Sequence, residues 1–344
     1  MTMQETWIVT GGAGFIGSNF VRLALAENWC AKVVVFDALT YAGNLDNLQP
    51  YLESDSRLIF VRGDVANAGD VEKVFADHKP HRVFHFAAES HVDRSIQNSA
   101  PFVITNVLGT QLLLSAARKH ETKRFLLVST DEVYGALPLN STDKFHEKRP
   151  YCPSSPYAAS KASADFLALA AFHTYGQDVV ITNCSNNYGP YQFPEKLIPL
   201  MIMNALKGEQ LPVYGDGLYV RDWIHVEDHC RAVRLCGLEG KSGETYCIGS
   251  DNEQPNIAVV KMILKLTGRD ETLIRYVKDR PGHDRRYAID SAKVREQLGW
   301  KPRIDWGNGL AATVRWYVDN ATWLDRIRTG EFQKYYAELY GDRQ

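Results

Sequence analysis

The stretch Thr6-Trp-Ile-Val-Thr-Gly-Gly-Ala-Gly-Phe-Ile-Gly17 decides the fold. A short apolar run, Trp7 to Val9, leads straight into Gly11, Gly12, Gly14 and Gly17, and Phe15 and Ile16 open a helical pattern reaching about Glu27. Strand, glycine turn and helix in that order form the context in which such glycines bind a dinucleotide. The glycines permit a tight turn and let backbone N–H groups approach a pyrophosphate, and the helix N-terminus completes the anion site. A second strand, Val33 to Phe36, ends in Asp37, twenty positions beyond Gly17. An acid there accepts hydrogen bonds from an adenosine ribose and repels a 2′-phosphate, which points to NAD rather than NADP.

Outward from this stretch, strands alternate with helical patterns, which implies a parallel sheet covered on both faces. Further strands are expected at 57–62, 82–88, 124–129 and 179–184, and long helices at about 101–120 and 157–175. That makes six strands before residue 185, a complete doubly wound sheet. A polar, Asn-rich loop over 39–47 carries Thr40. Asp64, followed by Val65, stands at a strand end, where it either meets an adenine amino group or caps a helix running to His78. After Asn187 the character changes: 188–222 is rich in Pro, Gly, Tyr and charge, with one helix near 194–207, and the alternation resumes weakly around 223–247. The expected fold is α/β, a doubly wound parallel Rossmann sheet over 1–187 with part of 223–250 returning to it. A smaller α/β C-terminal substrate domain is expected over 188–344.

Hydrophobic residues make up 45% of the 344 and charged residues 23%, an ordinary globular balance. A formal net charge of −2 gives no general attraction to nucleic acid or an acidic membrane, so any phosphate must be held by locally placed cations and backbone N–H groups. None of the six cysteines has C-x-x-C spacing, and most lie in apolar or small-residue contexts, which reads as reduced thiols in a cytoplasmic protein. His225 and His229 are four apart as in a zinc-protease helix, but position 226 is Val where that motif has Glu, so they are read as structural and no metal is expected. The first residues lack a basic n-region and a long apolar h-region, and no apolar run approaches the ~18 residues of a membrane span; neither a signal peptide nor a span is expected.

Tyr157 and Lys161 are four apart at a helix start and share a face, and Pro156 fixes the chain entering that helix. A tyrosine that titrates near ~10 needs a shift of about three units, roughly 4 kcal/mol, to serve as a base at neutral pH. A neighbouring ammonium and an oxidised nicotinamide supply positive charge of the right sign. With Gly11-x-x-Gly14-x-x-Gly17 and the strand-end Thr130, this pair resembles the extended short-chain dehydrogenase/reductase family. The resemblance implies NAD chemistry on a nucleotide sugar, with Tyr157 as base on a sugar hydroxyl, Lys161 tuning it and holding the ribose, and Thr130 positioning the hydroxyl.

Asp131 and Glu132 follow Thr130 directly. Eliminating water needs an acid for the departing hydroxyl and a base for a carbon-bound proton, roles each worth about 10²–10⁴-fold, whereas epimerising one carbon needs neither. Thr130-Asp131-Glu132 looks like the signature of the dTDP-glucose 4,6-dehydratases, a resemblance that continues through 87–94, 194–199, 221–223 and 279–284. GDP-mannose dehydratases typically carry Thr-Ser-Glu there, and 4-epimerases lack the acid pair. UDP-glucose dehydratases carry the same triad, so the choice between thymine and uracil stays open, with a 4-epimerase as the more distant alternative.

The resemblance implies a cofactor set of Gly11, Gly14, Phe15, Ile16, Gly17, Asp37, Thr40, Asp64, Val65, Ala87, Ala88, Thr105, Tyr157, Lys161 and Asn187. It places Arg221 and Arg280 on the diphosphate, Lys196, Leu197, Asn186, Asn256, His283 and Tyr287 on other parts of the nucleotide sugar, Pro212 and Tyr214 near the base, and Ser90 and Thr130 near the sugar. It also implies a homodimer in which the helices at 101–120 and 157–175, apolar over much of their circumference, pair into a four-helix bundle.

Overall fold

The protein is described from a computed structural model covering residues 4–279 and 282–327. Its centre is a parallel sheet built from β1 (Thr6–Thr10), β2 (Lys32–Asp37), β3 (Leu58–Arg62), β4 (Arg82–His85), β5 (Arg124–Thr130) and β6 (Val179–Cys184). Further strands follow: β7 (Asn186–Tyr188), β8 (Leu211–Tyr214), β9 (Val220–His225), β10 (Thr245–Ile248), β11 (Glu253–Pro255) and β12 (Ile274–Val277). Of these, β10 joins the central sheet beside β6, giving the order β10-β6-β5-β4-β1-β2-β3. The sheet thus has seven strands where the reading by pattern closed it at six. Trp7, Ile8 and Val9 are all fully buried, as strands covered on both faces require.

Strand order reverses at β1, which lies between β2 and β4. A crevice therefore opens beyond the carboxyl ends of β1 and β4, where doubly wound sheets bind ligands. Gly11 leaves β1 into this crevice, and 86–88 leave β4. The expected strand at 82–88 ends early, at His85: Phe86 N–H makes the last ladder bond, to Thr10 O at 3.2 Å, and the next N–H, that of Ala87, goes to Thr10 Oγ1 at 3.2 Å instead.

The helices that matter for the site are α1 (Phe15–Ala26), α2 (Ala68–His78), α3 (Ala100–Lys119), α4 (Pro156–Tyr175), α5 (Leu197–Lys207), α6 (Val226–Glu239) and α7 (Asn256–Thr267). Helix α2 is capped by Asn67, whose Oδ1 accepts from Gly69 and Asp70, so Asp64 lies outside the helix rather than at its cap. Helix α3 widens into a π-helical turn over Val103–Leu108, which carries Thr105. By length and composition α3 could cross a membrane, a feature its interrupted apolar pattern did not suggest. It packs here against α4, with 44% of its most apolar window buried. Helix α4 begins where Ser155 Oγ accepts the Ala158 N–H at 3.1 Å and ends at Gly176, whose φ of +66° suits glycine. Helix α5 starts at Leu197, a turn later than its sequence pattern suggests.

Apolar side chains cover both faces of the sheet, Trp7, Phe20 and Phe84 on one and Ile8, Phe36, Phe75 and Leu113 on the other. A separate core forms around Ile198, Met201, Ile202, Trp223, Val260, Leu310 and Tyr317, beneath the β7–β9–β11 sheet and the β8–β12 pair. Each such buried side chain contributes about 1.5–3 kcal/mol. The crevice lies between these two cores.

Candidate active site

One cavity of about 460 Å³ runs along the crevice, and it gathers nearly every residue singled out from the sequence. Gly11, Gly14, Phe15, Ile16, Gly17, Asp37, Thr40, Asp64, Val65, Ala87, Ala88, Thr105 and Asn187 line one end. Thr130, Asp131, Glu132, Tyr157 and Lys161 lie in the middle, and Ser90, Asn186, Lys196, Leu197, Pro212, Tyr214, Arg221, Asn256, His283 and Tyr287 complete the wall. Arg280 lies outside the described residues.

At the first end the backbone makes the shape. A Cβ on Gly11 would stand 2.6 Å from Ala87 N, and one on Gly17 would stand 2.2 Å from Gly11 O. Only glycine lets strand, turn and helix close to this distance. Asp37 holds the turn, its Oδ2 accepting the Ala13 N–H at 2.9 Å and its Oδ1 the Leu39 N–H at 2.8 Å. Burial pushes its carboxyl up while these two N–H groups hold it down. Each oxygen keeps capacity for a second hydrogen bond. Deeper in, Asn187 Oδ1, Ser185 Oγ and Gln192 Oε1 are buried without a hydrogen-bond partner. A glycine-shaped turn, an acid at the end of β2 and buried polar atoms awaiting partners fit a dinucleotide with free ribose hydroxyls.

In the middle, the Thr130 hydroxyl is the hub. Its Oγ1 donates to Asp131 Oδ1 and accepts the Glu132 N–H, both at 3.3 Å, and it hydrogen-bonds the Tyr157 side chain. Asp131 is 2% exposed and its Oδ2 has no partner. Burial first, then the adjacent Glu132, push its carboxyl well above the usual carboxylate range. Glu132 is only half-buried. Two neighbouring carboxyls in such different surroundings can divide acid and base roles. Lys161 is buried, and its Nζ donates to Val128 O at 2.8 Å. Tyr157 is pushed above its ordinary range, by burial first and then by Glu132. Burial thus works against the phenolate, and positive charge beside the ring is what favours it.

The far end is assembled from side chains distant in sequence. Lys196 Nζ donates to Ser90 O at 2.8 Å, and Tyr214 OH donates to Asp93 Oδ2 at 3.3 Å. Arg221 is 6% exposed, donates to Val220 O and Asp284 O, and lies 4.2 Å from the Tyr287 ring centroid. His283 stacks on Tyr219 at 3.7 Å and Tyr287 OH donates to Asp284. Asn186 Oδ1 and Asn256 Oδ1 are buried and unpartnered. Cations beside vacant acceptors suit a diphosphate carrying a hydroxyl-rich group.

Residues 8–313 match the family model described as GDP-mannose 4,6 dehydratase. A dTDP-glucose 4,6-dehydratase of Xanthomonas campestris pv. campestris (strain B100) is 51% identical over 348 residues, covering 96% of this chain and 98% of that one. The chain belongs to the dTDP-glucose 4,6-dehydratase family. Two solved members share its fold. DesIV from Streptomyces venezuelae, solved with NAD and TDP bound, has a TM-score of 0.90 at 48% identity, covering 94% of this chain and 100% of its own. The enzyme from Bacillus anthracis str. Ames, solved in complex with NAD, has a TM-score of 0.88 at 47% identity over 94% of this chain and 100% of its own.

The dehydratase cavity also holds residues that sequence reasoning passed over. Glu195 is buried, accepts from Tyr41 OH at 3.0 Å, and lies 3.7 Å from Arg94 and 3.8 Å from His91. Its place inside 194–199 was the only signal; its partners come from far along the chain. His225 caps α6 by accepting the Glu227 N–H, and His229 is buried in that helix, pushed down to about 3. All six cysteines are free thiols, with Cys152 exposed and the other five buried.

Proposed function

We propose that this dehydratase converts dTDP-glucose to dTDP-4-keto-6-deoxyglucose and water, the first committed step toward deoxysugars such as rhamnose. One observation carries the reading: Asp131 and Glu132 follow the Thr130 hydroxyl that also contacts Tyr157, all within the cavity that the glycine turn opens. The chemistry that a bound NAD would supply is reversible hydride transfer, from carbon 4 and back to carbon 6, which leaves no net redox change. The cofactor is held by Gly11 to Gly17, Asp37, Thr40, Asp64, Val65, Ala87, Ala88, Thr105, Lys161 and Asn187.

Tyr157 accepts the proton of the sugar 4-hydroxyl, which Thr130 positions, and the Lys161 ammonium favours the resulting phenolate. The 4-keto group acidifies the proton on carbon 5, and Glu132 takes it; carbon 5 is reprotonated as the hydride returns to carbon 6. Asp131 gives its proton to the 6-hydroxyl, which leaves as water. The upward shift of the Asp131 carboxyl is in the direction this role needs, since it favours the protonated form, and acid catalysis is lost as pH rises through its pKa. Arg221 and Arg280 hold the diphosphate, and Lys196 another part of the nucleotide sugar. Residues 1–187, with part of 223–250, form the cofactor domain and 188–344 the nucleotide-sugar domain.

We further infer a cytoplasmic homodimer joined by α3 and α4. Val103, Ile104 and Leu108 on α3 and Phe166 on α4 are 44–58% exposed, a row of apolar side chains that a four-helix bundle would cover.

The test is to incubate purified protein with dTDP-glucose and no added cofactor. Product is followed by the alkaline ultraviolet absorbance of the 4-keto-6-deoxy sugar and a mass loss of one water. Product is expected from enzyme-held NAD. Turnover of UDP-glucose alone would move the base assignment, and a 4-epimer in place of the keto sugar would overturn the dehydratase reading.

A further inference from the structure

Behind the catalytic residues lies a carboxylate with no part in the scheme above. Asp165 sits on α4, one turn after Lys161 and two after Tyr157, and is fully buried. Three donors converge on its Oδ2: Ser129 Oγ at 2.9 Å, Tyr151 OH at 2.9 Å and Asn183 Nδ2 at 3.2 Å. Its Oδ1 has no partner. Ser129 precedes Thr130 on β5, and Asn183 Nδ2 also donates to Thr130 O at 3.1 Å. The network therefore ties α4 to the strand end that carries the catalytic hydroxyl.

An amide oxygen could accept the same three hydrogen bonds, with its NH₂ in the place of the vacant Oδ1. Hydrogen bonding alone therefore does not require an acid here. The neighbour that does is Lys161. It is buried, which favours the neutral amine, and Asp165 is the foremost charge opposing that loss. The titratable groups around Lys161 are Tyr157 on its own helix, His85 on β4, Cys184 on β6, and Asp131 and Glu132 just after β5. Cys184 is pushed up to about 12 and His85 down to about 3, so both are neutral near pH 7. Asp131 is pushed upward, toward its protonated form, and Glu132 bears on Tyr157. Around Asp165 itself stand Lys161, Tyr151 and, beyond them, Tyr134 and Cys247, both pushed into their neutral forms.

We propose that Asp165 is a positioning residue of the reaction: its buried charge keeps Lys161 an ammonium beside Tyr157, while its three hydrogen bonds hold Thr130 and α4 in register. The inference rests on the roles proposed above for Lys161 and Tyr157. Its first readout is therefore independent of turnover. The protonation of Lys161 is followed by ¹⁵N NMR of side-chain-labelled lysine, with the signal assigned by its loss in Lys161→Met. In Asp165→Asn the Lys161 midpoint is expected to fall by more than about one pH unit, tenfold in its protonation equilibrium. The alkaline limb of kcat should move with it, and the KM for dTDP-glucose should stay within about twofold. An unmoved Lys161 midpoint, or a loss of kcat equal at every pH, would overturn the proposal. Tyr151→Phe gives a second test that keeps the charge. Removing one hydrogen bond to the carboxylate should lift Asp165 above its value of about 6 and carry the acid limb of kcat upward; an acid limb that stays in place contradicts the role. Wild-type enzyme that makes no keto sugar while Lys161 still responds to Asp165→Asn would refute the proposed reaction and leave this electrostatic role standing.

Discussion

The two ends of the cavity are built by different means. The cofactor end is backbone: Gly11 and Gly17 meet atoms of Ala87 and Gly11 at distances no Cβ tolerates, and Asp37 braces the turn through two N–H groups. Most of it comes from a short span of sequence. The substrate end is side chains brought together from afar, with Lys196 on Ser90 across 106 positions and Tyr214 on Asp93 across 121. A shape made of backbone fails as a whole when one atom is added. A surface made of charges is expected to lose affinity one contact at a time, with the fold intact.

The sharpest way to break this contrast is at Gly11. Gly11→Val combines a φ of +66° with a Cβ 2.6 Å from Ala87 N. Such strain costs of order 1–3 kcal/mol before the clash is counted, so the variant should be purified without bound NAD and with a lowered Tm. NAD content after denaturation and a melting curve would read both. Next in size is Tyr157→Phe, which leaves the packing and removes the proton acceptor. Its kcat should fall by about 10²–10⁴-fold with NAD retained, and an NADH absorbance signal on mixing with substrate would contradict the assignment.

At the other end, Arg221→Met should be milder. A charge-assisted hydrogen bond is worth about 1.5–3 kcal/mol, so KM for dTDP-glucose should rise by about tenfold or more with kcat little changed. Steady-state kinetics separate the two, and a collapse in kcat at unchanged KM would mean that Arg221 serves the chemistry instead of binding. The smallest effect on the site itself is expected from Phe166→Glu. At 58% exposure it should alter protomer stability by no more than about 0.5 kcal/mol. Light scattering after size exclusion should nevertheless show monomers; an unchanged dimer would place the interface elsewhere.

The same contrast explains what the sequence made legible. The glycine turn, Asp37 and the Tyr157–Lys161 spacing are local patterns, and strands β1, β2 and β6 lie where those patterns put them. Features that depend on distant partners were not visible. Strand β4 ends at His85, and the Ala87 N–H leaves the ladder for the Thr10 hydroxyl. Strand β10 joins the sheet from about sixty residues beyond β6; a return of part of 223–250 was expected, a seventh strand was not. Asn67, not Asp64, caps α2, a choice between two good capping residues that only the helix start settles. The π-helical turn that carries Thr105 has no sequence signature of its own. Glu195 and Asp165 read as ordinary helix-flanking and helical acids until the fold buries them. The burial that raises Asp131 is likewise a property of the assembled cavity, although adjacency to Thr130 already singled the residue out.

The most direct measurement is a single turnover of Glu132→Gln with dTDP-glucose. Glutamine keeps the shape and removes the base, so hydride removal at carbon 4 should still proceed. An NADH absorbance should then build up on the enzyme with no loss of water from the sugar. Formation of the 4-keto-6-deoxy product at the wild-type rate would contradict the assignment of the elimination to this acid pair.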